Sequence, residues 1–452
     1  MKEPIYLDYA STTPLDPEVF DAMLPYFGMQ TVDSKQQTAR FPLKALFGNP
    51  GSLHSFGQKA SAAVFGARQT VASALGAHYS EIVFTGSATE ANNMALRSTV
   101  KQFLISNSQF LKGAKARLIV SSIEHESVLE TARDLEREGV EVIYLPVSKE
   151  GIVDLKVLKE SLNERTVLIS VMYGNNEVGT IQPIAEIAKI IANYKLQIAN
   201  LSSSSSHPKS YELRAISYPL LHTDAVQAFQ YLDCNVNELG VDLMTLSGHK
   251  IYGPKGIGAL YVSKQQKVNS KQDASSPLSA NSYKLKAILT GGGQEFGLRS
   301  GTENVPAIVG FAKAVELAVK NRQKEAKRVA LLRDELLKRI KFIFKGVVVN
   351  GGKNISEKGR LPNNLNIYIP NGKGSPALSG EQLLVSLDLA GVAVSSGSAC
   401  KARSIDPSHV LLAMGFDRLR AKNSIRFSLG KMTTRKEIAL VANVLKSLKK
   451  SI

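Results

Sequence analysis

Short apolar runs alternate with helical patterns between residues 81 and 262, and no other feature restricts the fold as strongly. The helical patterns include Thr89–Arg97 and Glu126–Glu138. The candidate strands are Glu81–Phe84, Arg117–Val120, Val142–Leu145, Val167–Val171, Leu220–Thr223, Leu243–Leu246 and Gly258–Val262. Strands that alternate with helices along a chain build a mainly parallel sheet with helices on its faces. The pattern therefore predicts an α/β fold.

From about Ala307 the pattern changes to long helices with fewer strands, which predicts a second domain. The stretch Lys324–Lys341 interleaves acidic with basic residues, as the polar face of an amphipathic helix does. Three polar stretches, residues 29–47, 201–219 and 264–286, lack the apolar residues that a core requires. We interpret these three as loops or insertions.

Composition limits the classes of protein to which the chain can belong. No apolar run is long enough to cross a bilayer and the N-terminus lacks a signal-peptide core, so we expect a cytoplasmic protein without membrane association. Two cysteines, Cys234 and Cys400, are too few for a disulfide framework or a multi-cysteine zinc site. The net charge of +17 fits attraction to nucleic acid or to an acidic partner, or simply a basic solvated surface, and we favour the solvated surface.

A lysine, a carboxylate and a small-residue turn each follow a candidate strand. Lys250 lies at a strand exit, where a partly desolvated lysine can form an imine, and Asp224 ends another strand. Ala88 and Thr89 lie where a strand passes into a helix, and the N–H groups there can cradle a phosphate. Singly, these are equally a surface lysine, a turn aspartate and a capped helix without a ligand. Together they fit pyridoxal phosphate, whose aldehyde, ring nitrogen and phosphate need such groups.

Ordered motifs along nearly the whole chain carry a family resemblance. They are Tyr6–Pro14, Gly48–Ser52, Glu124-His125, Asn175–Gly179, Ser247–Lys250, Arg299–Thr302, Ser395–Cys400 and Ser424–Arg426. In this order they resemble the class V aminotransferase family of fold-type I pyridoxal-phosphate enzymes, and within it the NifS/IscS-type cysteine desulfurases. The resemblance implies a large domain, residues 17–306, with a mainly parallel seven-stranded sheet, and a smaller α+β domain, residues 1–16 and 307–452.

The resemblance also implies roles around the cofactor ring. Lys250 would carry the cofactor, and His125 would stack on the ring and take part in proton transfer. Asp224 would pair with the ring nitrogen. Asn175 and Gln227 would contact the ring hydroxyl, and Asn175 would also contact the substrate carboxylate.

A second group of implied roles concerns the phosphate and the substrate. The phosphate would be held by Ala88, Thr89, Ser247 and His249. Thr302 would reach the phosphate of the other subunit across a homodimer interface. Arg426 would pair bidentately with the substrate α-carboxylate, a task that suits a guanidinium group.

Cys400 decides which reaction the resemblance implies. It lies in a small-residue, polar stretch with Lys401 and Arg403 nearby, a context that favours a thiolate more than a packed thiol. The loop that carries it, about residues 395–408, belongs to the small domain. Its thiolate would take the sulfur of L-cysteine as a persulfide and leave L-alanine. No resident metal is implied, beyond transient ligation of an iron–sulfur cluster by Cys400, and Cys234 is interpreted as structural.

Partners and alternatives follow from the same residues. The length of the loop after Cys400 resembles the group that serves iron–sulfur assembly and tRNA thiolation, so the expected acceptors are an iron–sulfur scaffold or a tRNA-thiolation enzyme. A selenocysteine lyase or an aminotransferase remains open, although an aminotransferase would not need Cys400. A catalytically inactive basic binding protein is less consistent, because Lys250 and Asp224 are both present.

Overall fold

The computed structural model describes residues 4–28, 31–33, 38–40, 46–106, 115–203, 218–264, 285–352, 359–370, 379–396 and 407–450. The strands are β1 Ile5–Tyr6, β2 Thr31–Asp33, β3 Thr38–Arg40, β4 Ile82–Thr85, β5 Arg117–Ser121, β6 Glu141–Leu145, β7 Thr166–Ser170, β8 Leu220–Asp224, β9 Leu243–Ser247, β10 Gly258–Val262, β11 Val348–Val349, β12 Asn364–Tyr368, β13 Val392–Ala393, β14 Ser395–Ser396 and β15 Ser424–Ser428. The α-helices are α1 Pro17–Met23, α2 Ser55–Leu75, α3 Ala88–Asn93, α4 Thr99–Ser106, α5 Glu126–Arg137, α6 Leu155–Ser161, α7 Ile184–Ser203, α8 Val236–Leu239, α9 Val305–Ile343, α10 Gly380–Leu389, α11 His409–Ala413, α12 Arg418–Asn423 and α13 Arg435–Lys450.

Seven strands of the described chain form the large sheet, in the order β4-β10-β9-β8-β7-β5-β6. All neighbouring pairs are parallel except the two that involve β10, which is antiparallel to both β4 and β9. Along β5, Leu118 and Val120 face one apolar cluster and Ile119 faces another. Because successive strand side chains point to opposite faces, the sheet is covered on both sides. The predicted α/β fold with a mainly parallel seven-stranded sheet is confirmed.

A smaller sheet follows later in the chain. It contains four described strands in the order β11-β12-β15-β14, and its pairs are antiparallel. The N-terminal strand β1 pairs in parallel with β13, where Ile5 lies opposite Val392. Both residues belong to a separate apolar cluster that also contains Leu365, Phe427 and Leu445. The small-domain part of the chain therefore has its own core.

One helix contributes to both cores. The first buried residues of α9, Val305 to Ala318, belong to the cluster on the large sheet, and Val329 to Ile343 belong to the cluster on the small sheet. Residues 319–328 between them include no buried position. The amphipathic helix predicted at Lys324–Lys341 lies inside α9 and is confirmed. The domain division at residue 306 stays a prediction.

The polar stretches are only partly loops. Within residues 29–47, β2 and β3 pair as an antiparallel hairpin, so the prediction of a loop there is wrong for these two segments. Threonine and valine at Thr31, Val32 and Thr38 have high β propensity, which a count of polar residues overlooks. In residues 201–219, α7 continues to Ser203. Residues 204–217 and 265–284 lie outside the described chain. No helix in the described ranges is long and apolar enough to cross a membrane.

Candidate active site

A cavity of about 370 Å³ opens beside the carboxyl ends of the parallel strands. Ligands of open α/β sheets bind at these ends, because the chain leaves the sheet there in loops. Nine of the residues predicted from sequence line the cavity: Ala88, Thr89, His125, Asp224, Gln227, Ser247, His249, Lys250 and Arg426. The remaining wall includes Ala10, Ser11, Met172, Asn176, Glu177 and His409, to which the sequence assigned no role.

Lys250 reaches the cavity from a short turn of 3₁₀-helix, Gly248–Lys250, that follows β9. Its Nζ donates to the carbonyl oxygens of Ala10 and Ser11, each at 2.6 Å. Gln227 Nε2 donates to the same Ala10 oxygen at 2.9 Å. The N-terminal segment thus holds the lysine beside Gln227, although sequence reasoning identified this segment only as a motif.

Asp224 ends β8 and is 5% exposed. Its Oδ2 accepts from Asn92 Nδ2 at 2.8 Å, and its Oδ1 accepts from the Val226 N–H at 3.0 Å. Asn92 Nδ2 also donates to Ser127 Oγ at 2.8 Å. Sequence reasoning missed Asn92, because it lies 132 positions from Asp224. Only the fold brings the amide to the carboxylate.

His125 lies at the N-cap of α5, where its Nδ1 accepts from the Ser127 N–H at 3.1 Å. The same nitrogen is 2.8 Å from Ser127 Oγ. Because a backbone N–H can only donate, Nδ1 must be unprotonated in this arrangement, and the hydrogen of the neutral ring is on Nε2. A hydrogen-bonded series of side chains therefore runs from Asp224 through Asn92 and Ser127 to His125.

The predicted phosphate residues lie where α3 begins. Ser87 caps the helix by accepting from the Glu90 N–H, so the N–H groups of the first turn, at Ala88 and Thr89, lack helical acceptors. A Cβ on Gly258 of the adjacent strand β10 would lie 2.9 Å from Ala88 N and 2.8 Å from Ser87 C. A residue without a side chain is therefore required where β10 passes this turn.

His249 lies on the same wall. Its Nδ1 is 3.1 Å from Thr12 Oγ1. Burial first, and then the charges of Lys250 and Lys255, lower the pKa of His249 to about 4. Without a bound anion the imidazole is therefore neutral at physiological pH, and both of its ring nitrogens can take part in hydrogen bonds as one donor and one acceptor.

Arg426 projects from β15 and its side chain is 1% exposed. It bonds to Asp8 Oδ1 at 2.7 Å, to Ser11 Oγ at 2.9 Å and to the Asn176 carbonyl oxygen at 2.9 Å. Its Nε is buried and has no partner on the described part of the chain. One N–H of the guanidinium group, on Nε, therefore has no acceptor on the described chain, while Asp8 balances the charge of the group.

Asn175, predicted to contact ring and substrate, does not line the cavity. Its side chain is fully buried, with Nδ2 donating to the Ile123 carbonyl oxygen and Oδ1 accepting from the N–H groups of Glu177 and Val178. These hydrogen bonds engage both the nitrogen and the oxygen of the Asn175 amide and hold the turn at residues 175–178 in place. Asn176 lies at the cavity wall instead, and the contact of Asn175 with ring and substrate stays a prediction.

Two other predicted residues lie outside the cavity wall as described. Cys400 belongs to residues 397–406, which lie outside the described residues. Both ends of this segment are described: Ser395 pairs with Arg426 across the small sheet, and His409 lines the cavity. Thr302 is exposed and is absent from the wall, and its role across a dimer interface stays a prediction. Cys234 is buried, which raises its thiol pKa to about 12 and agrees with a structural role.

The residues present fit pyridoxal phosphate. Asp224 is a buried carboxylate with no basic partner among the described residues, so a protonated ring nitrogen would complete it. Lys250 supplies an amine, and the first turn of α3 supplies N–H donors for the phosphate. The neutral His249 adds a further hydrogen-bonding group there.

Comparisons with known proteins agree with this geometry. The model of the aminotransferase class-V family matches residues 5–209 and 212–441. The chain is 40% identical to a cysteine desulfurase IscS of Dictyoglomus turgidum, over 99% of this chain and 95% of that protein. It is 40% identical to a mitosomal cysteine desulfurase of Encephalitozoon cuniculi, over 97% and 85%. A solved structure named as a NifS-like protein aligns with a TM-score of 0.77 at 31% identity, over 99% of this chain and 100% of that one.

Proposed function

The chain belongs to the aminotransferase class-V family, and we propose that its cavity desulfurates L-cysteine by means of Lys250, Arg426 and Cys400. It is a pyridoxal-phosphate-dependent cysteine desulfurase, which converts L-cysteine to L-alanine and transfers the sulfur. One observation supports the proposed residues above all others. Lys250 and Arg426 line one cavity, and both described ends of the segment that contains Cys400 lie beside it.

We assign the cofactor to the residues that line this cavity. Lys250 would bind its aldehyde, Asp224 its ring nitrogen, and the first turn of α3 its phosphate, with His125 against the ring. When bound, the cofactor supplies an electron sink for the carbanion at the substrate Cα. The bond from Asn92 fixes Asp224, and Ser127 fixes the tautomer of His125.

The substrate carboxylate is assigned to Arg426, whose Nε is unpartnered on the described chain. Asp8 and Ser11 both accept from Nη2 of the guanidinium group, so its orientation is fixed before the substrate arrives. Asn176 takes the role that the sequence assigned to Asn175, because its side chain is the one at the wall.

Proton and sulfur transfer then fall to three side chains. Lys250 Nζ accepts the proton of the substrate Cα, and His125 Nε2 lies in the same cavity as a second group for proton exchange. The Cys400 thiolate forms a bond to the substrate sulfur while the Cβ–S bond breaks. The electron pair of that bond remains on Cβ, which takes up a proton, Lys250 returns the proton to Cα, and L-alanine leaves. Cys400 retains the sulfur as a persulfide.

Two variants separate the proposed roles of lysine and cysteine. Lys250→Ala should abolish the absorbance of the lysine-bound cofactor and all alanine formation. Cys400→Ala should retain that absorbance and the spectral response to L-cysteine but form neither persulfide nor alanine above background. Cys234→Ala, which removes the buried thiol, is the matched control and should keep full activity. Alanine formation by Cys400→Ala at the rate of the native enzyme would disprove the role of Cys400.

Assembly, acceptors and location complete the proposal. The enzyme would act as a homodimer in which Thr302 reaches the phosphate of the neighbouring site. Its sulfur acceptors would be an iron–sulfur scaffold or a tRNA-thiolation enzyme, and Cys400 would ligate a nascent cluster only transiently. A cytoplasmic location fits the composition, although one relative is named as mitosomal.

A further inference from the structure

His409 is a histidine of the cavity wall that the proposed reaction does not use. It is the first residue of α11 and lies three positions after residue 406, the last residue of the segment that contains Cys400. Its side chain is 27% exposed. It therefore lies at the cavity wall nine positions after Cys400 in the sequence.

Both ring nitrogens of His409 face the turn that carries His125. Nε2 is 3.0 Å from the carbonyl oxygen of Glu124. A carbonyl oxygen can only accept, so Nε2 bears the hydrogen. Nδ1 lies 3.6 Å from Glu126 Oε1. The imidazole thus bridges the residues immediately before and after His125.

The neighbouring Ser408 makes an equivalent connection to a second turn of the wall. Its Oγ donates to Glu177 Oε2, and it also caps α11 by accepting from the Leu411 N–H at 3.1 Å. Glu177 is buried and follows Asn176, which lines the cavity. Two consecutive residues therefore attach to the turns that carry His125 and Asn176.

Apolar packing reinforces the same attachment. Val410 and Leu411 share a small cluster with Ile123 and Val178, which lie next to Glu124 and Glu177 in sequence. The apolar contacts hold α11 against both turns, whereas hydrogen bonds fix its position along and around them, because hydrogen bonds are directional. The pair Ser408-His409 therefore fixes the described chain to these two turns just beyond residue 407.

We propose that Ser408 and His409 are positioning residues that set the placement of the Cys400 segment relative to the substrate for the sulfur-transfer step. The inference rests on the function proposed above. It assigns no step to the imidazole itself, because both of its nitrogens face Glu124 and Glu126. A displaced attachment would leave substrate binding intact and slow the attack on sulfur, since attack requires close approach of the reacting atoms.

The test measures two steps separately in the enzyme with its cofactor bound. L-cysteine binding is followed by the change in cofactor absorbance, and persulfide on Cys400 by mass spectrometry after one turnover. In His409→Ala, binding should stay within about twofold while persulfide formation slows by about tenfold or more. His409→Gln, whose amide can still donate to the Glu124 oxygen, should recover most of that rate. Ser408→Ala should show the same split with a smaller loss.

His78→Ala is the matched control, since it also removes one imidazole but from a short helix cap elsewhere. It should change neither step. Persulfide formation at the native rate in both His409→Ala and Ser408→Ala would overturn the inference. So would an equal loss of binding and persulfide formation, or a failure of His409→Gln to recover. An absence of persulfide in the native enzyme would instead overturn the proposed function.

Discussion

Four side chains connect two walls of the cavity through consecutive hydrogen bonds: Asp224, Asn92, Ser127 and His125. Asn92 occupies the centre of this series, because its Nδ2 donates to both Asp224 and Ser127. The carboxylate is buried, so its orientation depends on this amide and on the Val226 N–H. A residue that never touches the cofactor can therefore control how tightly the cofactor is held.

Replacement of this amide tests that dependence. Asn92→Leu should weaken cofactor binding by about 10- to 150-fold, because loss of a hydrogen bond to a buried charged group costs about 1.5–3 kcal/mol. Asn93→Leu is the control, since the bonds of Asn93 to Thr89 and Arg97 stay within its own helical segment. Cofactor affinity is measured by fluorescence titration of the cofactor-free enzyme. Equal affinities for the two variants would contradict the role of Asn92.

Single residues also show where sequence reasoning stops. Lys250 and Asp224 were predicted at strand ends, and both line the cavity. A strand-end position is enough for this prediction, because the carboxyl ends of parallel strands lie at the same edge of the sheet. Asn175 was predicted to contact ring and substrate, but Asn176 is the member of the pair that lines the cavity. Adjacent amides have the same chemistry, and only the course of the turn decides which one is buried. Asn92 and His409 owe their positions to contacts far apart in sequence, which no local pattern contains.

Helices and strands were more predictable than the contacts between them. Each strand of the large sheet begins and ends within one residue of its prediction, because the buried runs are apolar on both faces. The contact between α2 and the sheet had no such signal. Arg68 of α2 donates to the Ile82 carbonyl oxygen of β4 at 2.6 Å and forms two hydrogen bonds with Glu295, at 2.6 and 2.7 Å, and both side chains of this pair are almost fully buried.

This buried ion pair predicts a large difference between single and double variants. Arg68→Met should lower the free energy of unfolding by about 3–5 kcal/mol, because Glu295 would remain buried without its partner. Arg68→Met with Glu295→Gln should recover much of that loss, since the amide oxygen can still accept from the Phe84 N–H. Urea denaturation of the enzyme with saturating cofactor gives both values.

Arg133→Met supplies the comparison for an exposed pair. Arg133 pairs with Glu130 on the surface of α5, and both side chains are roughly half exposed. Loss of such a pair should cost at most about 1 kcal/mol. Similar losses for Arg68→Met and Arg133→Met would contradict the importance assigned to burial.

At the scale of the whole molecule, two buried groups oppose each other in the dependence of stability on pH. Burial raises the pKa of Glu124 to about 8, helped by the charge of Asp224, and burial lowers the pKa of His222 to about 3. Between its ordinary pKa and about 8, Glu124 keeps a proton in the native state that the unfolded chain loses, so its contribution to stability falls as pH rises. His222 stays neutral where the unfolded chain takes up a proton, so its contribution falls as pH drops below about 6.5.

Between about pH 4.5 and 6.5 the contributions of Glu124 and His222 to the pH dependence of stability have opposite signs and cancel. Outside that range only one of the two groups changes the stability with pH. Glu124→Gln should therefore gain stability relative to the native enzyme by about 1.4 kcal/mol per pH unit from about pH 4.5 to 8. The amide oxygen can keep the bonds from Ser121 Oγ and the Met172 N–H. The difference between the two proteins at each pH, from urea denaturation with saturating cofactor, removes contributions that they share. Parallel stability curves would show that Glu124 does not titrate in this range.

Helix α9 has a mechanical consequence. It is 39 residues long, a rod of about 58 Å, and its two halves are embedded in different cores. A loop between the cores would allow them to swing freely, whereas a continuous helix resists bending because each turn is hydrogen-bonded to the next. Relative displacement of the two sheets therefore requires this helix to bend or the packing on one of its halves to change. The helix thereby ties the sheet that carries Arg426 to the sheet in which Asp224 ends a strand.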